Sequence, residues 1–140
     1  MPHAEAYREL VVARAGGAYE YCRLLEAATG VTFHIEHVTP KSQGGRTAMN
    51  NLALSCPGCN LAKAERTAGS DRTGREWRLF NPRDFEPPLL GWHIHFELDR
   101  ESGMVLPRSV IGEATILTLK MNDSRRMFAR RLQVQAGLIG

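Results

Sequence analysis

No apolar run in this 140-residue chain reaches the 18 residues or so that a membrane-spanning helix needs. The opening residues, Met-Pro-His-Ala-Glu, lack the charged and apolar regions of a secretory signal. Its three cysteines, an odd number, do not make a closed disulfide framework. Internal repeats and low-complexity segments are absent as well. The expectation is a protein of the cytoplasm, where a Cys-x-x-Cys pair serves metal or redox chemistry. The apolar share of 43% is that of a globular chain, and the length suits one domain. A net charge of +3 favours a polyanionic partner without naming one.

Local patterns predict a helix over Ala4 to Arg14, ended by Gly16-Gly17, and an irregular segment from Tyr19 to Thr29 around Cys22. A strand is expected over Val31 to Glu36, where Val31, Phe33 and Ile35 alternate with polar neighbours. A loop carries Pro40 and Gly44-Gly45. A second strand follows over Asn51 to Ser55, then a helix over Pro57 to Arg66. Residues Ala68 to Gly74 read as a linker or surface loop. Beyond it, strands are expected over Trp77 to Phe80 and Trp92 to Leu98. Of two closing helices, the first aligns Ile111, Ala114, Leu117 and Met121. The second is capped within Asn122-Asp123-Ser124 and aligns Phe128 with Leu132.

The informative stretch runs from Cys22 to Lys63, and its order carries the weight. It holds His34-Ile35-Glu36-His37-Val38-Thr39-Pro40, Gly44-Gly45, Asn51-Leu52 and Cys56-Pro57-Gly58-Cys59-Asn60 before Lys63. Phosphodiester hydrolysis needs a base for water, a cation for the phosphoryl oxygens, and rigid placement of both. A histidine beside a carboxylate at a strand end can edge one cleft. An Asn opening a nearby helix can add an oxygen ligand of the kind Mg²⁺ or Mn²⁺ prefers.

This ordered set resembles the HNH endonuclease family, whose pattern combines Asp/Glu-His-x-x-Pro, a Gly-Gly loop and Asn-Leu-x-x-x-Cys-x-x-Cys-Asn-x-x-Lys. The residues after Leu79, through Trp92 and His95-Phe96 to Met121-Asn122-Asp123, are similar to the C-terminal extension of a bacterial subgroup of small HNH proteins. The resemblance implies an α+β fold: a ββα-metal core over residues 19–66 with a zinc-knuckle-like cysteine cluster. A helix precedes the core, and a strand-and-helix extension over 75–140 completes a single domain. It implies a DNA endonuclease with His37 as general base, Asn51 bracing the loop and the base, and Glu36 and Asn60 holding Mg²⁺ or Mn²⁺. His34, on Glu36's side of the strand, is a further candidate at that metal. Cys22, Cys56 and Cys59 would hold a structural Zn²⁺. Tyr19 stands where the first cysteine of the family's first pair belongs, which leaves that site one ligand short.

Lys63, Arg66, Arg72, Arg75 and Arg78 are the expected contacts to DNA phosphates, and RNA stays open as a substrate. Arg125, Arg126, Arg130 and Arg131 make the last helix basic, either as a solvated face or as a DNA contact. His93 and His95 are expected to pack or to face solvent. Two other readings remain at this point: a zinc-knuckle DNA binder without catalysis, and a nuclease subunit that works only with a partner in a defence or phage system. The oligomeric state is left open, a homodimer included.

Overall fold

The computed structural model describes residues 3–26 and 34–139. A 3-10 turn, Ala4–Tyr7, leads into helix α1, Arg8–Ala15, which stops at Gly16 in the left-handed region. Strand β1, His34–His37, pairs antiparallel with β2, Leu52–Ser55, in a register that sets Glu36 opposite Ala53 and His37 opposite Leu52. The expected strand over Val31 to Glu36 thus lies one residue further along at its end, and its first three positions fall outside the described residues. Helix α2, Pro57–Lys63, follows at once. Cys56 caps it, its sulfur accepting from the Cys59 N–H at 3.2 Å, and Pro57 occupies the first turn, where a missing N–H leaves no bond unmade. These two strands and one helix form the ββα unit.

The expected linker at 68–74 is instead half of a hairpin. β3, Ala68–Ser70, pairs with β4, Glu76–Arg78. Asp71 closes the turn by accepting from the backbone N–H groups of Thr73 and Arg75 and from the Trp77 indole at 2.9 Å. The Thr73 hydroxyl, donating to Oδ1 at 2.6 Å, does most to hold the Asp71 carboxyl at about 2, below its ordinary 3.8, and the other three bonds, the Trp77 indole's first among them, add to it. A small polar run reads as loop, but an Asp with four donors makes it a tight turn.

The strand expected over Trp92 to Leu98 is also corrected. Helix α3, Pro88–His95, fills most of it, and β5, Phe96–Leu98, begins only afterwards and pairs with β6, Val105–Pro107. Trp92 and Phe96 are four residues apart, and their rings meet at 5.2 Å. Helix α4, Val110–Leu119, is capped by Ser109, whose Oγ accepts from Gly112 N. Its inner face carries Ala114, Thr115, Ile116 and Leu119, whereas Leu117, expected inside, is 49% exposed. Helix α5, Ser124–Gln135, starts at Asp123 as expected, but it is turned the other way round. Phe128 and Leu132 face outward, and Arg126 and Arg130 are buried.

The core joins the ββα unit to the C-terminal extension. Phe80 meets Tyr21 at 6.2 Å and Phe96 at 5.1 Å, both edge-on, and the Trp92 indole donates to the Tyr21 carbonyl at 2.8 Å. Arg130, fully buried, donates to the carbonyls of Gly103, Cys22 and Met121 and to Asn122 Oδ1. A buried guanidinium survives only when its N–H groups are so taken up. Glu20 accepts from Leu54 N at 2.8 Å and pairs with Arg83, tying β2 to the segment after β4.

Candidate nuclease site

His37 ends β1 with its ring half-buried, and its Nε2 lies 2.8 Å from the Thr47 hydroxyl. Burial first, and then the charge of Lys41, lower its pKa from the ordinary 6.5, so the ring is neutral at pH 7. The loop between the two strands is closed by Asn51. Its Oδ1 accepts from Thr39 N at 2.9 Å, and its Nδ2 donates to the carbonyls of Thr39 at 3.0 Å and Arg46 at 2.9 Å. Val38 N donates to Asn51 O at 2.9 Å, so the two residues that follow His37 out of the strand are both anchored to one asparagine. Gly45 lies so close to this clamp that a Cβ there would stand 1.7 Å from the Thr39 carbonyl oxygen. Any side chain at 45 would force the clamp open. Thr47 was missed by sequence reasoning, since a threonine ten residues after a histidine carries no signal.

Glu36 points the opposite way from its neighbour, as strand geometry requires, and is 6% exposed. Its Oε1 accepts from Lys63 Nζ at 2.8 Å and from the Tyr21 hydroxyl at 3.0 Å. Its Oε2 is buried without a hydrogen-bond partner among the described residues. Burial raises the Glu36 pKa, and the Lys63 charge works against that rise. Lys63, expected at a DNA phosphate, is corrected to an internal role. It is 2% exposed, and besides Glu36 it donates to the Val38 carbonyl at 3.1 Å. Asn60 is half-buried on α2, one turn before Lys63. His34 is exposed at the start of β1.

The remaining basic candidates lie on the surface. Arg66 donates to the Ala62 carbonyl at 3.0 Å. Arg72 stands 3.8 Å from Glu113, Arg75 lies over the Trp77 ring at 4.3 Å, and Arg78 pairs with Asp84 at 3.0 Å. The last three come from the β3–β4 hairpin. Between Arg78 and the His37 loop opens a cavity of about 580 Å³ lined by Val38, Thr39, Lys63, Asn81 and Phe85, among others.

Behind β2 the sulfurs of Cys22, Cys56 and Cys59 lie within 4.8 Å of one another, all buried. Such a trio could bind a metal. Hydrogen bonds from the other two sulfurs draw the Cys56 thiol far down, while burial pushes Cys22 up to about 12. Tyr19, where the family pattern has a further cysteine, is wholly buried in a turn closed by Arg23 N donating to the Tyr19 carbonyl. Arg126 reaches the same cluster from α5, its Nη1 2.9 Å from Cys59 Sγ.

Comparison with known proteins agrees with this architecture. The family model for HNH endonuclease matches residues 20–66, the stretch from the Cys22 turn through β1, β2 and α2. A domain of this family points to nuclease-type chemistry, to divalent metals and to nucleic acid as the substrate class. No curated protein and no solved structure matches the chain.

Proposed function

We propose that this chain is a metal-dependent endonuclease that hydrolyses DNA phosphodiester bonds, with His37 as the general base and Mg²⁺ or Mn²⁺ held by Glu36 and Asn60. The observation that carries the reading is the hold on His37. A neutral imidazole stands at a strand end, gripped through Nε2 by Thr47, in a loop closed by Asn51. With the Nε2 proton donated to Thr47, the lone pair sits on Nδ1, which then takes the proton of an attacking water. The unpartnered Oε2 of Glu36 is a buried oxygen that a cation would satisfy, and the Asn60 amide offers a second oxygen from the adjacent helix. A divalent ion held there supplies positive charge against the phosphoryl and leaving oxygens. Asn51 and Gly45 keep the base from drifting, and Arg72, Arg75 and Arg78 draw the DNA backbone toward the hairpin.

A second reading rests on the Glu36–Lys63 pair. A carboxylate already neutralised by a buried ammonium is a weaker metal ligand, and a chain in which it stays so would bind DNA without cutting it. Conversion of supercoiled plasmid with Mg²⁺, with Mn²⁺ and with EDTA separates the two. Nicked product with either metal and none with EDTA is expected. Retarded but uncut plasmid under all three conditions favours the binder.

A further inference from the structure

The three-cysteine cluster already contains a cation. Arg126 Nη1 lies 2.9 Å from Cys59 Sγ and 3.9 Å from Cys56 Sγ. The rest of the guanidinium is fixed: Nε donates to Asp123 Oδ2 at 2.9 Å and Nη2 to the Leu119 carbonyl at 2.8 Å. Its seat is provided by the knuckle itself. A Cβ on Gly58 would come within 3.2 Å of Arg126 Cζ, so the glycine between the paired cysteines leaves the flat group its room. In the sequence, Tyr19 stands where the family pattern has a cysteine, so the cluster lacks the fourth thiolate that a four-coordinate zinc needs.

We propose that Arg126 takes the place of a structural metal in this cluster, so that the Cys59 and Cys56 sulfurs, with Cys22 within 4.8 Å of them, are organised by a guanidinium and the native chain carries no zinc. An ion bonded to Cys59 at about 2.3 Å would lie no further than ~5.2 Å from Nη1 (the bond length plus the Nη1–Sγ separation), with the guanidinium unable to retreat without breaking its bonds to Asp123 and Leu119. The role of a zinc knuckle is to staple segments distant in sequence. Here one side chain does so, joining α2 and its cap to α5. The arrangement to be distinguished from it is a three-thiolate zinc whose single negative charge is balanced by Arg126 from outside.

The test is the zinc content of the purified full-length chain, followed by zinc affinity in two variants. Elemental analysis is expected to give far less than one zinc per chain, and EDTA is expected to leave the melting temperature unchanged. Arg126→Met, which removes the charge and the donors, should raise affinity for added Zn²⁺ by about tenfold or more in competition with a chromophoric chelator. Arg126→Lys, which keeps the charge, should stay near wild type. One zinc per wild-type chain, with a melting temperature that falls on chelation, overturns the proposal, as does equal zinc affinity in wild type and Arg126→Met. If Arg126→Met does not fold, the wild-type zinc content and the Arg126→Lys affinity decide: a zinc-bearing wild type, or tighter zinc in the lysine variant, overturns it.

Discussion

A general base works through one nitrogen, and at His37, the proposed base, the Thr47 hydroxyl occupies the Nε2 side at 2.8 Å. Thr47→Val deletes the hydroxyl at nearly constant volume and is expected to slow cleavage about tenfold, the worth of one well-placed hydrogen bond. KM for plasmid should hold, and Thr47→Ser should restore the rate. Loss of KM instead, or no rescue by serine, would mean that Thr47 only shapes the loop. The base must be unprotonated to act. Because burial and Lys41 lower its pKa, the acid limb of the rate profile should be centred below 6.5; an acid limb centred above 6.5 contradicts this. The motif residues His37, Asn51 and Asn60 were singled out by their order together with the resemblance to the HNH family. Their partners were not. Nothing in the order of residues says that Lys63 folds inward onto Glu36, because that pairing depends on how α2 lies across β1.

Among the elements, the β3–β4 hairpin depends on one side chain. Asp71 is charged and accepting when folded, and its carboxyl titrates at about 2 instead of 3.8. A carboxyl depressed in this way stabilises the turn above pH 3.8, and the stabilisation is lost as the pH falls through about 2. The Trp77 indole proton, followed by NMR, should therefore shift with a midpoint near 2; a midpoint near 3.8 would show the bond to Asp71 to be absent in solution. The segment from 88 to 98 shows why element type was harder to read than element existence. Trp92-His93-Ile94-His95-Phe96 alternates as a strand does, yet Trp92, His95 and Phe96 also fit helical spacing. Over five residues the two periods coincide, and the Pro88 start was the deciding signal. Helix α5 was placed correctly but oriented wrongly. Arginines four apart suggest a wet face, and only the carbonyls gathered around Arg130 reveal why that stripe is buried.

The whole molecule is basic; besides Lys41 and Arg46 on the loop after His37, its exposed positive charge includes Arg72, Arg75 and Arg78 on the hairpin. If these contact phosphates, neutralising all three should flatten the plot of log affinity against log salt by up to ~2.7 in slope, at about 0.9 per released counterion. An unchanged slope would make the hairpin a solvated face. Among the described residues no helix is long and apolar enough to cross a membrane. The HNH match ends at residue 66, but the core does not: Trp92 and Arg130 of the extension donate to the carbonyls of Tyr21 and Cys22. The extension therefore helps to set the position of Glu36 through Tyr21. The account stands most directly on His37, and the decisive measurement is plasmid nicking by His37→Ala beside wild type, with DNA affinity measured on the same preparations. Loss of the base should cut the rate by roughly 10²–10⁴-fold while affinity and melting temperature stay near wild type. Nicking at the wild-type rate by His37→Ala would contradict the account at its centre.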